Sequence, residues 1–239
     1  MSEAALAAQR AEFAALNARC AASPREAAQY AAFLRTRTHA EKVKWLFNST
    51  IFNSATLVRL QLADGLSPNT IDDGQSLLYI AASWGSIDVL RVLLVAGADA
   101  NSCDSFGNMA LQVAVSYGKL ACARELIPYT DLRNFNAYGN NALHGSIIGN
   151  HLEFFKLLLP HFADDVDVRT AKPRPPADPG RPYNNTPLYA ACQGGHHAMV
   201  KALLAAGASR TAHDNDVLLP PLCGSKRAPS LCDATHRAS

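Results

Sequence analysis

The residue types best able to do chemistry in this 239-residue chain are its six cysteines and eight histidines. His196-His197 looks like a pair of metal ligands, and Cys192 like a thiol with a histidine close by. Neighbouring residues on a helix point about 100° apart, so the two imidazoles do not share a face and hold no metal together. A catalytic thiolate needs an accessible, electropositive setting, and Cys192 has only His196 near it in sequence. Cys20, Cys103, Cys122, Cys192, Cys223 and Cys232 form no CxxC pair, and their spacing fits neither a zinc module nor a disulfide framework. They read as reduced thiols of an intracellular protein. There is no Walker loop, dinucleotide fingerprint or HExxH helix. The residues therefore predict no catalytic site, no cofactor and no metal.

Composition narrows the classes further. Hydrophobic residues make up 49% of the chain and charged residues 18%, which suits a folded globular protein rather than a disordered one. A net charge of +2 gives no overall electrostatic case for nucleic acid or an anionic membrane. The N-terminus lacks a basic stretch followed by an apolar core, and Glu3, Glu12 and Glu26 argue against a mitochondrial leader. No run of about 18 apolar residues is present to span a bilayer. The cytoplasm is the expected location, with the nucleus as second choice.

The elements are best read through an internal repeat. Four heptapeptides superpose: Ser76-Leu77-Leu78-Tyr79-Ile80-Ala81-Ala82, Met109-Ala110-Leu111-Gln112-Val113-Ala114-Val115, Asn141-Ala142-Leu143-His144-Gly145-Ser146-Ile147 and Thr186-Pro187-Leu188-Tyr189-Ala190-Ala191-Cys192. Their starts are 33, 32 and 45 residues apart, so the last interval is one period with an insertion. Gly85, Gly118 and Gly195 stand nine residues after a start, with Asn150 in the remaining copy. Leucine pairs at 93–94, 158–159 and 203–204, with Leu126-Ile127, mark a second helix. Gly74, Gly107 and Gly139 sit just before a start. A degenerate fifth copy begins at Lys44-Trp45-Leu46-Phe47, with Asn53 at the glycine position. Each copy reads as helix, turn, helix. The apolar stripe of such a pair, for example Leu78, Ala81 and Ala82 with Leu90, Leu93 and Leu94, is buried only by stacking neighbours.

This pattern resembles the ankyrin-repeat family, whose repeat of about 33 residues carries a Thr-Pro-Leu-His helix start. Thr186-Pro187-Leu188-Tyr189 is the nearest match, and His144 falls on the histidine of that motif. Cys192 falls in a first-helix slot that is normally small and buried. The resemblance covers roughly residues 40–210. It implies an all-α solenoid of about five helix–turn–helix units with short β-hairpin-like fingers. It also implies a non-catalytic scaffold or adaptor that holds a protein partner on the concave side. In ankyrin proteins the finger positions before the helix start and the end of the first helix face the partner. Carried over, these are Asp73, Phe106, Tyr138 and Tyr183 three residues before a start, and Gln75, Asn108, Asn140 and Asn185 one before it. Eight residues after a start stand Trp84 and Tyr117. Phe106, Tyr138 and Tyr183 form an expected aromatic row, with Trp84 and Tyr117 behind it.

The expected organisation is an N-terminal helical extension over 1–37, a repeat domain over 38–212 and a tail over 213–239. The repeats run approximately 38–70, 71–103, 104–135, 136–170 and 181–212. Residues 171–182 are a proline-rich insertion, and the tail is expected to be disordered. Ser23-Pro24-Arg25-Glu26 is a helix start with a capping box. Pro176, Pro179 and Arg181 fit a PxxPxR pattern similar to ligands of Src-homology-3 domains. A regulatory or recruiting subunit, using the N-terminal helices or the proline-rich loop as a second contact, is the alternative reading. An enzyme is the least favoured.

Overall fold

Helix starts in this chain are made by side chains that accept the orphan N–H groups of the first turn. Ser76, Asn141 and Thr186 each cap the helix that follows, accepting from the amides of Tyr79, His144 and Tyr189. Met109 has no such oxygen, and Gln112 three residues on accepts the Met109 N–H at 2.9 Å. Ser23 accepts from the Glu26 amide, while the reciprocal capping box forms at the next helix between Thr38 and Glu41.

The structure, a computed structural model, describes residues 3–171 and 185–210. The Src-homology-3-like residues Pro176, Pro179 and Arg181, the finger residue Tyr183, and the tail beyond Arg210 lie outside the described residues. The described chain is a series of antiparallel helix pairs with one two-stranded hairpin, an all-α repeat architecture. Its described residues divide into two compact units, residues 3–105 with 109–130, and residues 106–108 with 131–171 and 185–210.

The first unit contains α1 (Glu3–Ala22), α2 (Pro24–Arg35), and three repeat pairs. These are α3 (His39–Ile51) with α4 (Ala55–Ala63), α5 (Leu77–Trp84) with α6 (Ile87–Val95), and α7 (Ala110–Ser116) with α8 (Leu120–Leu126). First helices pack on first helices, α3 on α5 on α7, and second on second, α4 on α6 on α8. Leu46, Leu57, Leu77, Leu90, Leu93, Leu111 and Leu126 are sealed in this core. Burying each leucine contributes about 1.5–3 kcal/mol, so the stacking supplies most of the driving force. Ala81 and Ala114 are fully buried because the helices approach closely at that position.

Two asparagines tie successive pairs together. Asn53 takes the place where other repeats have glycine, with φ of 54°. Its Oδ1 accepts from the amides of Asp88 (3.0 Å) and Val89 (3.1 Å), which begin α6, and its Nδ2 donates to the Asp88 carboxylate. Asn17 of α1 does the same for α4, accepting from Thr56 (2.9 Å) and Leu57 (3.3 Å). Helix α1 thus serves α4 as one repeat serves the next. Around that contact Phe13 lies 5.3 Å from Trp45 and 5.1 Å from Phe52, and Tyr30 and Phe33 complete the aromatic cluster.

The second unit holds α9 (Ala142–Ile148) with α10 (Leu152–Leu158), and α11 (Pro187–Gln193) with α12 (His197–Ala205). Here α9 packs on α11 and α10 on α12, around Leu143, Phe155, Phe162 and Leu203. Asn150 repeats the device of Asn53, standing at positive φ where a glycine would otherwise be.

Candidate functional site

In the first unit the finger between α4 and α5 is a hairpin of β1 (Ile71–Asp72) and β2 (Gln75–Ser76), with Ile71 opposite Ser76. The two-residue loop Asp73-Gly74 has φ of 48° and 72°, the positive pair of a type I′ turn. That turn leaves Asp72 and Asp73 exposed at the tip and Gln75 half-buried. Helix α5 ends at Gly85, which is left-handed with φ of 77°, so its last residue, Trp84, is pushed out and is 42% exposed. Tyr117 follows α7 in the same way and is 61% exposed. Tyr79 lies half-buried in the first turn of α5. Burial first, and then the nearby Asp104 and Tyr117, push its phenol above the ordinary range.

In the second unit the fingers are locked to each other by asparagines. The Ala137 amide donates to the Phe106 carbonyl at 2.6 Å. Asn136 donates through Nδ2 to Oδ1 of Asn108 (2.9 Å), and its own Oδ1 accepts from the amides of Tyr138 and Asn140. The result is that Phe106 and Tyr138 stack, with ring centroids 6.0 Å apart and planes within 4°. Gly139 cannot be replaced freely, because a Cβ there would strike the Ala171 carbonyl. Asn185 is half-buried and exchanges backbone bonds with Thr170, its amide donating to the Thr170 hydroxyl and its carbonyl accepting from the Thr170 amide, each at 2.9 Å. Asn108 thus links its finger to the next and Asn140 closes its own on Asn136, while Phe106 is 38% exposed and Tyr138 half-buried.

His144 is fully buried beneath this finger, with Nδ1 2.7 Å from Oδ1 of the cap residue Asn141. Burial holds its pKa down to about 4, against a smaller opposing effect from the backbone of Asn185 and Val168. It is a neutral structural imidazole at pH 7. His196 and His197 line a shallow cleft of about 230 Å³ with Asn150, Leu152 and Met199. Among the described residues no three of His, Cys, Asp and Glu cluster as a metal site, and no helix is long and apolar enough to cross a membrane.

Four exposed apolar side chains among the described residues lie outside the set named from sequence: Val95 and Tyr129, at or after the ends of the second helices α6 and α8, and Ile148 and Ile71. Ile148 is 54% exposed at the end of α9, and Ile71 is 57% exposed in the first finger. Both were visible in the repeat register. The residues aligned with Ile148 are Ser83, Ser116 and Gln193, and those aligned with Ile71 include Asp104 and Asn136, so each is an apolar residue in a polar column.

Residues 78–170 match the family model of ankyrin repeats in three copies, and residues 183–215 that of an ankyrin repeat; together these cover more than half of the chain. An ankyrin repeat protein of Escherichia coli (strain K12), YahD, is 29% identical over 127 residues, which is 53% of this chain and 57% of that protein. The ankyrin repeat protein nuc-2 of Neurospora crassa is 32% identical over 182 residues, 71% of this chain and 15% of that protein. The human ankyrin repeat and SOCS box protein 14 is 43% identical over 60 residues, 25% of this chain and 10% of that protein. The chain spans less than two thirds of the length of each of these relatives.

Proposed function

The chain belongs to the ankyrin-repeat family, whose repeats are generally protein–protein interaction modules, and from that premise we propose that it is a non-catalytic scaffold or adaptor. It binds a protein partner through its fingers and the ends of its first helices. The supporting observation is the parallel stack of Phe106 on Tyr138 at adjacent finger tips. The helical core is closed without these rings, and aromatic side chains held rigidly at a surface are characteristic of binding hot spots. Asn108, Asn140 and Asn185 set the spacing of the fingers, while Asp73, Gln75, Trp84 and Tyr117 supply the contacts of the first unit.

The test is a quantitative partner capture with the full chain and the double variant F106A/Y138A. The variant should keep the far-ultraviolet circular dichroism of the parent and lose the partner by at least about tenfold, the loss of two hot-spot rings. Equal capture by both proteins overturns the assignment.

A second contact through the N-terminal helices, as in a recruiting subunit, has its own support. Every residue from Glu3 to Glu12 except the half-buried Leu6 is exposed, so the first half of α1 offers surface. Removing residues 1–12 should then release a second protein while the finger-bound one remains.

A further inference from the structure

We propose that the first unit's finger face takes an extended, basic peptide segment of the partner, one that carries two or more arginines or lysines. The inference rests on the reading of this chain as a protein-binding ankyrin module and names the chemistry of its ligand.

Charge is distributed unevenly along a chain whose net charge is +2. From Gly65 to Ser105 there are five aspartates and a single cation, Arg91. Arg91 is occupied on the second-helix side, where its guanidinium contacts the Glu125 carboxylate at 2.7 Å and Asp88 at 4.0 Å. The finger side of this stretch keeps Asp72 and Asp73, both exposed at the hairpin tip and in no ion pair with any described residue. Asp104 stands in the next finger. Lys119 follows Tyr117 by two residues, and its aliphatic stem lies against Gly85.

Aromatic faces accompany these carboxylates. Trp84 and Tyr117 are exposed at the ends of α5 and α7, two helices that pack directly on each other. Tyr79 sits within electrostatic reach of both Tyr117 and Asp104. An exposed indole or phenol face attracts a guanidinium or ammonium within about 6 Å of the ring centre, most strongly for tryptophan. Carboxylates at a rim steer such a cation and reject acidic segments. Aspartates at the finger that opens α5, together with aromatic rings at the far ends of α5 and α7, suit a positively charged extended segment better than an apolar one. The rigid I′ hairpin holds Asp72 and Asp73 in place before binding, which lowers the ordering cost.

The test is selection of a phage-displayed library of random 12-residue peptides on the full chain, followed by titration of the synthesised winners. Enrichment of arginine and lysine is expected, with binding that weakens as salt is raised. D72N/D73N should weaken a winning peptide by about tenfold, the size typical of steering and rim contacts taken together. The peptide should also shift the emission of Trp84, a signal that W84F removes. Neutral or acidic winners that lose binding in W84A/Y117A would leave the interaction face standing and overturn its charge preference. Winners that bind W84A/Y117A as tightly as the parent would remove the first unit's face from the functional reading as well. Self-association of the chain that D72N/D73N abolishes would make the occupant a second copy and overturn the proposal.

Discussion

Aromatic side chains occur in two settings in this molecule, and the contrast separates holding the fold from offering a surface. Phe13, Tyr30, Phe33, Trp45 and Phe52 converge around α1, α2 and α3, with Tyr30 and Phe33 stacked and the other pairs at tilted and edge angles, and pack on one core. The Tyr30 hydroxyl there accepts from Gln61 at 2.9 Å, so even its polar tip is satisfied inside. Phe106 and Tyr138 lie flat on each other at finger tips, and Trp84 and Tyr117 stand exposed at helix ends. The first group fills volume. In the second group, backbone and asparagine hydrogen bonds hold the fingers of Phe106 and Tyr138, while Trp84 and Tyr117 owe their exposure to their places at helix ends. Rings that stabilise should fail in denaturation, and rings that recognise should fail in binding.

The largest expected effect follows from the buried set. Phe13→Ala empties a site that is 6% exposed and should lower the unfolding free energy by about 3–5 kcal/mol, read from the urea midpoint. A loss below about 1 kcal/mol would mean that α1 is not part of the core.

The buried polar residue of the second unit should show itself through pH. His144 has a folded pKa of about 4, below the ordinary value of 6.5. The unfolded chain therefore binds the proton more readily between these values, and stability is present above pH 6.5 and lost as pH falls toward 4. Between pH 7 and pH 5 the loss should be about 2 kcal/mol, since each pKa unit is worth about 1.4 kcal/mol. Denaturation at both pH values, in the parent and in His144→Gln, checks this; an equal pH step in the variant would assign it elsewhere.

The repeat-to-repeat cap should give a smaller effect. Asn53→Gly keeps the positive φ and loses the bonds to Asp88 and Val89, at a cost of about 1 kcal/mol. Asn53→Ala loses both and should cost about 1–2 kcal/mol more, from the left-handed backbone. Equal midpoints for the two variants would show that backbone strain plays no part.

The smallest stability effect belongs to the displayed set. F106A/Y138A should destabilise by no more than about 1 kcal/mol, the scale of one stacked pair, while binding collapses.

The repeated helix starts made the fold legible in the sequence. Ser76, Asn141 and Thr186 announce their helices by side-chain chemistry, and the Leu and Ala columns state which face is buried. The same register placed Trp84, Tyr117, Phe106 and Tyr138, because a residue in a repeat inherits its position from its neighbours. Other features were less legible. Asn53 reads as a weak glycine substitute, and its role as a cap for α6 depends on a partner 35 residues away. Asn108 reads as a contact residue, yet its side chain is engaged by Asn136 in the next finger. Ser23-Pro24-Arg25-Glu26 and Thr38-His39-Ala40-Glu41 look alike in sequence, and only the second closes into the reciprocal box, because closure depends on how the chain enters the helix. Ile71 and Ile148 are apolar residues in polar columns of the repeat, and an apolar residue taken alone suggests core rather than surface.

The most direct measurement is hydroxyl-radical footprinting of the full chain, free and bound to its captured partner. The expected result is protection of Phe106, Tyr138, Trp84 and Tyr117 on binding, with the already shielded Phe13 and Tyr30 unchanged. Protection confined to the second helices α6 and α8, with the four finger and helix-end aromatics reacting as in the free chain, would contradict the account.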